Sequence, residues 1–316
     1  MPRFTIGRFA FLAALCLLSL PHAVFALDNT FPAKGKLSSA SKATLSVNGV
    51  EREYLVQSPE GSGPFPVVIL LHGGTQTARD VWTQTSLPTL ARQEHFLLLA
   101  PQALGRHWND GRSATVSGDA PSTADDVSFL QSLITTAMKE YHGDARRVFM
   151  AGVSNGGFMT MHYACAGGKG LSAAANVISD LHADDARSCH MEQPLAWLSI
   201  NGMRDPLIPF EGQKAGTVRR GKPQPELLSA RGTFRFFADR ARCDSEEKIT
   251  SIGQTEVHVR KNCVGGTSSQ QYIVKDGGHT WPGAHNGLII RMLGGASQDF
   301  DAGLILWDFF RDTIPR

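Results

Sequence analysis

The chain has 316 residues, of which 42% are hydrophobic and 19% charged, and its formal net charge is +2. This composition supports a sizeable buried core and excludes disordered, collagen-like and coiled-coil chains. The small basic excess also argues against nucleic acid as a partner, because proteins that neutralise phosphates usually carry more positive charge.

The first 26 residues have the three-part layout of a secretory signal peptide. Arg3 and Arg8 precede the apolar run Phe9–Leu20, and small residues before position 27 offer a cleavage site after Ala26. The run is short for a membrane span, although an N-terminal anchor helix is the alternative. We therefore expect a mature chain that is secreted or periplasmic and has no membrane segment.

Export favours disulfides among the cysteines that follow the signal peptide, because the compartment is oxidising. These cysteines are Cys165, Cys189, Cys243 and Cys263. Four cysteines allow three connectivities, and the sequence alone does not decide among them. We favour the sequence-local pairs Cys165–Cys189 and Cys243–Cys263, with buried free thiols as the alternative.

The first elements of the mature chain are a leader and a hairpin. Residues 27–43 are small and polar and predict a flexible leader before a domain at 44–316. Thr44–Val47 and Val50–Gln57 then flank Asn48-Gly49, a strong signal for a two-residue β-hairpin.

Continuous apolar runs predict strands that are buried on both faces. The runs are Val67–Leu71, Phe96–Ala100, Val148–Ala151 and Leu195–Ile200. Helical patterns lie between them, most clearly over Asp125–Tyr141. This alternation predicts a single α/β domain with a mainly parallel, doubly wound sheet.

Two later segments differ from this alternation. Residues 212–225, here called the basic loop, carry Lys214, Arg219, Arg220 and Lys222 and no acids. We expect a solvated loop there, with attraction of anionic substrates as the alternative. Residues 246–275 contain short strand-like runs that we expect to complete one edge of the sheet.

Residues 147–158 read RVFMAGVSNGGF, in which Gly152–Gly156 fits the pattern G-x-S-x-G. With a strand before it and a helix-compatible segment after it, the pattern predicts a nucleophile elbow with Ser154 as the nucleophile. An ordinary glycine-rich turn is the alternative. Such a serine needs a base that is oriented by a carboxylate.

Asp205 and His279 are the candidate partners of Ser154. Asp205 lies just past a predicted strand end, and His279 lies in the glycine-flanked loop KDGGHTWPG. Competitors for the acid are Asp180, Asp184 and Asp185, and His285 competes for the base.

The loop His72-Gly73-Gly74 follows a predicted strand directly and matches an HGG-type oxyanion loop. We expect the backbone amides of Gly74 and Asn155 to bind the oxyanion. Trp108, Asn109 and Trp281 lie in loops expected after strand ends, where they could bind substrate or anchor those loops.

Several segments occur in an order that resembles a known family: LLHGGTQTARDVW, HWNDGR, ADDVSFLQSLI, RVFMAGVSNGGFMTMHYAC, INGMRDPLIPF, DGGHTWPG and ILWDFF. Together they resemble the secreted esterases of the polyhydroxybutyrate depolymerase type and the feruloyl or acetylxylan esterase type. The resemblance implies an α/β-hydrolase fold and a triad of Ser154, Asp205 and His279. It implies hydrolysis of short hydroxyacyl esters or of feruloyl and acetyl sugar esters, as small molecules or oligomers.

Two other functions remain open at this point. One is a serine peptidase of the prolyl-oligopeptidase type, and the other is a non-catalytic surface-binding protein on a hydrolase scaffold. We expect no cofactor and no metal, because HExxH is absent and the proposed chemistry needs neither. The sequence does not indicate an oligomeric state.

Overall fold

The computed structural model of the protein describes residues 31–112, 122–219, 221–284 and 288–313. The predicted signal peptide lies outside the described residues, as does His285, so cleavage after Ala26 stays a prediction.

Strands and helices alternate along the described chain. The strands are β1 Ser41–Val47, β2 Val50–Gln57, β3 Phe65–Leu71, β4 Leu97–Pro101, β5 Gly143–Val153, β6 Ala173–Val177, β7 Ala196–Gly202, β8 Val218–Arg219, β9 Lys222–Pro223, β10 Glu247–Ile252, β11 Thr255–Arg260 and β12 Ser269–Val274. The α-helices are α1 Ala78–Gln84, α2 Leu87–Gln93, α3 Asp126–Glu140, α4 Asn155–Cys165, α5 Ala183–Ser188, α6 Ala230–Arg240, α7 Leu288–Met292 and α8 Ala302–Asp312. Within the described ranges, no helix has the length and apolar character to cross a membrane.

Ten of the strands form one sheet in the order β1-β2-β4-β3-β5-β6-β7-β12-β11-β10. The six central strands, β4 to β12 in that order, are parallel, and the two strands at each edge are antiparallel. This arrangement confirms the predicted α/β fold. It brings the carboxyl ends of the parallel strands to one edge, where ligands bind in open α/β sheets.

The central strands are buried because apolar layers cover both faces of the sheet. Along β3, Val68 and Leu70 pack with residues of α1, α2 and α8, whereas Val67, Ile69 and Leu71 pack with residues of α3 and α4. Every residue of β3 is buried. The uninterrupted apolar run that predicted this strand therefore reflects two cores, one on each side.

The N-terminal hairpin has the predicted register. Val47 pairs with Val50, and the two turn residues Asn48 and Gly49 have positive φ values of 51° and 80°. Such a turn follows the right-handed twist of the two strands.

The predicted flexible leader needs a correction for residues 31–43. Lys34 Nζ donates hydrogen bonds to the carbonyl oxygens of Gln84 and Gly283, at 3.0 and 2.8 Å. The Gly35 amide donates to the Thr85 carbonyl, and β1 begins at Ser41. Contacts distant in sequence therefore make this segment part of the folded domain.

Two disulfides join the sequence-local cysteine pairs. Cys165, at the end of α4, bonds to Cys189, which follows α5. Cys243 bonds to Cys263 and links the segment after α6 to the connection between β11 and β12. The remaining predicted segment, residues 246–275, forms β10, β11 and β12 and completes the sheet edge as expected.

Candidate active site

Ser154 lies at a sharp turn between β5 and α4. Its backbone has φ 52° and ψ −119°, a conformation that L-residues seldom adopt. The turn is tight enough that a Cβ atom on Gly152 would lie 2.0 Å from the carbonyl oxygen of Gly156. Only glycine fits at position 152, which explains why the G-x-S-x-G pattern forms this elbow.

The elbow sets Ser154 in a chain of hydrogen bonds with His279 and Asp205. The Ser154 hydroxyl lies 2.9 Å from His279 Nε2, and His279 Nδ1 lies 2.8 Å from Asp205 Oδ2. With Nδ1 protonated, the imidazole donates to the carboxylate and its Nε2 accepts from the serine. The structure thus brings together the three residues that the sequence placed 51 and 74 positions apart.

Backbone contacts hold the loop of Asp205 against the loop of His279. Asp205 Oδ1 accepts the N–H groups of Leu207 and Ile208, at 2.7 and 2.8 Å. The Arg204 amide donates to the Gly277 carbonyl, which comes within 2.4 Å of where a Cβ on Gly202 would lie. The end of β7 and the loop of the base are therefore packed backbone to backbone.

The competing acids have other partners. Asp184 pairs with Arg187 on the surface, and Asp185 pairs with His162. Asp180 is buried and accepts a hydrogen bond from Asn201. Burial raises the pKa of Asp180 well above its ordinary value, and the nearby charge of Asp205 adds to this effect.

The HGG loop lies against the elbow and leaves one amide available. The Gly73 amide donates to Gln76 Oε1, and the Thr75 amide donates to the Arg106 carbonyl. Among the described residues, the Gly74 amide has no acceptor. The Asn155 amide opens α4, where helix geometry supplies no acceptor either. A Cβ on Gly74 would lie 3.5 Å from Asn155 Cβ, so these two candidate donors are neighbours.

The side chain of Asn155 is fixed by a buried network. Its Oδ1 accepts the Trp108 amide at 2.8 Å, and its Nδ2 donates to Asp110 Oδ2 at 2.6 Å. Asp110 in turn forms a buried ion pair with Arg112. These bonds hold the first turn of α4 beside Ser154.

A cavity of about 460 Å³ opens above these groups. Ser154, His279, Gly74 and Asn155 all line it. The rest of the described lining combines glycine, aliphatic and uncharged polar residues with one further histidine and two arginines. These residues are Gly73, Thr75, Gln76, Gln84, His107, Arg112, Val153, Ile178, Leu207, Arg219, Thr280, Ile290 and Leu293. Its size is typical of a site for a small organic ligand.

A match with a protein family agrees with this fold. Residues 68–287 match the model of the alpha/beta hydrolase family. The chain belongs to the alpha/beta hydrolase family.

The chain is similar to proteins that are named as esterases. Feruloyl esterase B of Piromyces equi is 26% identical over 243 residues, which are 72% of this chain and 42% of that protein. Feruloyl esterase C of Emericella nidulans is 25% identical over 190 residues, 57% of this chain and 64% of that protein. The hydrolase therefore spans less than two thirds of the length of either relative.

A solved structure shares the fold. The acetyl xylan esterase from Aspergillus awamori superposes with a TM-score of 0.53 at 16% identity, covering 80% of this chain and 99% of that one. At this identity the likeness extends to the fold alone.

The predicted substrate-binding residues of the hydrolase require correction. Trp108 and Trp281 are 2% and 0% exposed, and neither is among the described residues that line the cavity. Trp108 Nε1 donates to the His72 carbonyl, and the Asn109 amide donates to Asp126. Trp108 and Asn109 thus anchor their loop through hydrogen bonds, and Trp281 is buried in the hydrophobic core.

His72 has a structural role in this loop. Its Nδ1 donates to the Gly73 carbonyl at 2.7 Å, and its Nε2 accepts the Ala103 amide at 3.1 Å. Burial lowers its pKa to about 4, so the ring is neutral near pH 7. The sequence predicted no site role for the cavity residues His107 and Arg112, and Arg219 was expected only as part of the basic loop. The HWNDGR segment contains the first two and was the available signal.

Proposed function

We propose that this chain is a serine carboxylic-ester hydrolase that works through an acyl-enzyme. The observation that supports this proposal is the hydrogen-bonded chain from Ser154 through His279 to Asp205 beside an open cavity. The esterase names of its relatives favour ester bonds over amide bonds.

The chemistry follows from the geometry. His279 Nε2 accepts the Ser154 proton as the hydroxyl oxygen attacks the ester carbonyl carbon. Asp205 stabilises the resulting imidazolium, and the amides of Gly74 and Asn155 donate to the oxyanion. The helix dipole of α4 adds positive potential at the same place. The imidazolium then protonates the departing alcohol, and a water molecule activated by His279 releases the acid from Ser154.

Short or compact acyl groups suit the cavity best. Five of its lining residues are aliphatic, namely Val153, Ile178, Leu207, Ile290 and Leu293, and the cavity measures about 460 Å³. A long acyl chain would leave methylenes in water and forfeit about 0.8 kcal/mol for each one. We therefore expect acetyl, hydroxybutyryl or feruloyl esters to be better substrates than long-chain esters. A feruloyl ring would pack on aliphatic side chains rather than on tryptophan.

A panel of esters tests this function. p-Nitrophenyl esters from C2 to C16, methyl ferulate, acetylated xylan and a hydroxybutyrate trimer would be compared with chromogenic peptide amides. We expect kcat/KM to fall beyond short acyl chains and the peptide amides to be inert. A serine-reactive phosphonate should add its mass to Ser154 in the wild type and not in Ser154→Ala. A maximum at C12 or longer, with neither ferulate nor hydroxybutyrate cleaved, would contradict the substrate class.

The two disulfides support export of the proposed enzyme, since such bonds persist in oxidising compartments. Mass spectrometry of the exported protein should show the loss of residues 1–26. It should also show a mass lower than that of the reduced chain by four hydrogens, two for each disulfide. Four free thiols, or retention of the N-terminal segment, would contradict this part of the proposal.

A further inference from the structure

The basic loop is more ordered than the predicted solvated loop. Its strands β8 and β9 form a short hairpin in which Arg219 pairs with Lys222. Gln213 and Leu227 exchange two backbone hydrogen bonds at the base of the loop, and Gln213 Nε2 donates to the Pro225 carbonyl. These bonds fix the path of the loop and bring Arg219 to the wall of the catalytic cavity.

The guanidinium of Arg219 is tied to the acid of the triad through one residue. Its Nη1 donates to the Leu207 carbonyl, and the Leu207 amide donates to Asp205 Oδ1. A guanidinium has several further N–H donors in a planar fork that matches a carboxylate. Among the described residues, one such donor is used by the Leu207 carbonyl and the others have no acceptor, so they can bind a ligand.

The two arginines of the cavity differ in charge balance. Arg112 is 5% exposed and is neutralised by bidentate contacts with Asp110. Arg219 has no carboxylate within ion-pair distance in the described chain. The described lining of the cavity contains no Asp or Glu. Among the described residues that line the cavity, Arg219 is therefore the arginine whose charge no carboxylate balances.

We propose that Arg219 forms a subsite for a carboxylate on the substrate, so that the preferred esters are anionic. This inference rests on the proposed esterase function. The fitting substrate class is an ester with a free carboxylate a few bonds from the scissile carbonyl, such as a linear oligomer of a hydroxy acid or the monoester of a dicarboxylic acid. Charge-assisted bonds from a partly desolvated guanidinium are stronger than neutral ones, which gives the subsite its selectivity.

Matched ester pairs test the subsite from both sides of the scissile bond. The p-nitrophenyl monoester of glutarate carries a carboxylate on the acyl side, and p-nitrophenyl valerate is its neutral counterpart of equal chain length. The linear dimer of 3-hydroxybutyrate carries a carboxylate on the alcohol side, and its methyl ester is the neutral counterpart. We expect kcat/KM of the wild type to favour the anionic member of at least one pair by about 10- to 100-fold.

Three variants test whether Arg219 causes the preference for the anionic ester. Arg219→Gln should remove it by lowering kcat/KM for the anionic ester about 10- to 100-fold more than kcat/KM for the neutral ester. Arg219→Lys should keep part of the preference, because the charge remains and the planar fork is lost. Lys214→Gln removes one charge from an exposed position of the same loop and should change neither ester. Inhibition of valerate-ester hydrolysis by free glutarate should weaken in Arg219→Gln and stay unchanged in Lys214→Gln.

The outcomes separate this inference from the proposed function. If Ser154-dependent hydrolysis of the neutral esters is present and the wild type shows no preference for either anionic ester, the subsite is refuted and the esterase function stands. Equal loss of both esters in Arg219→Gln, or an equal effect of Lys214→Gln, would also refute it. If no ester is hydrolysed, or if Ser154→Ala retains activity, both the function and the subsite are overturned.

Discussion

Two histidine–aspartate pairs of this hydrolase have similar contacts and different surroundings. His279 Nδ1 lies 2.8 Å from Asp205, and His162 Nδ1 lies 3.0 Å from both carboxylate oxygens of Asp185. His279 and Asp205 lie in loops after strand ends, and a serine hydroxyl lies 2.9 Å from the second ring nitrogen. His162 and Asp185 lie on α4 and α5, close to the disulfide that also joins these helices.

The difference shows that a histidine–aspartate pair alone does not make a catalytic site. Each carboxylate orients an imidazole, but only His279 has a hydroxyl from which to take a proton among the described residues. Asp205 is also held by two backbone amides, whereas Asp185 sits at the interface of two helices. We therefore expect the first pair to be catalytic and the second to be a clamp between α4 and α5.

The largest loss of kcat should come from replacing Ser154 or His279. Ser154→Ala and His279→Ala should each lower kcat by about six orders of magnitude, because nucleophile and base act as a unit. His162→Ala is the matched control and should keep kcat within about twofold. Steady-state kinetics on p-nitrophenyl acetate, with circular dichroism to verify folding, makes the measurement. Half of the wild-type activity in Ser154→Ala would refute the mechanism.

A smaller loss of kcat is expected when Asp205, but not Asp185, is replaced by asparagine. Asp205→Asn should lower kcat by about 10⁴, because an amide orients the wrong tautomer of His279. Asp185→Asn makes the same chemical change in the second pair and should leave kcat within about twofold. If the two variants lose activity equally, the distinction between catalytic pair and clamp fails.

The clamp should be measurable as stability. Replacing Cys165 and Cys189 by serine opens a loop with a sequence separation of 24 residues. The chain-entropy relation gives a loss of about 3 kcal/mol in the free energy of unfolding for a loop of this size. Denaturant unfolding of the exported protein gives that value, and kcat of the folded fraction should not change. A loss of kcat with unchanged stability would place the disulfide in the catalytic machinery instead.

The smallest effect concerns the pH dependence of the clamp. Burial alone would lower the pKa of His162, but the hydrogen bond and charge of Asp185 outweigh burial and raise it. A raised folded-state pKa stabilises the protein fully below the unfolded-state value of about 6.5, and this contribution is lost as pH rises through the folded value. His162→Gln should therefore destabilise the protein more at acidic than at alkaline pH. Denaturant unfolding of wild type and variant at both pH values tests this, and a difference that grows with pH would contradict it.

The sequence predicted those parts of the site that depend on local pattern. Ser154 was identifiable because its elbow needs glycine at fixed positions, and β3 because both of its faces are covered. The roles of Trp108 and Trp281 stayed open between substrate binding and loop anchoring, because a loop position does not reveal whether a side chain faces the cavity or the core. Arg219 could not be placed, since its position depends on the contact between Gln213 and Leu227. Residues 31–43 were also misjudged, because Lys34 finds its partners far along the chain.

At Ser154 the positive φ lowers the stability of the folded protein, while turnover needs the serine hydroxyl at this same position. Holding a non-glycine residue in such a conformation costs about 1–3 kcal/mol. Glycine would escape most of this cost, and its greater freedom in the unfolded chain would return less than about 1 kcal/mol of it. Selection for thermal stability alone would therefore favour Ser154→Gly and yield a more robust protein without a nucleophile. Any thermostable form that keeps its activity must retain the strained serine and gain its stability at other positions.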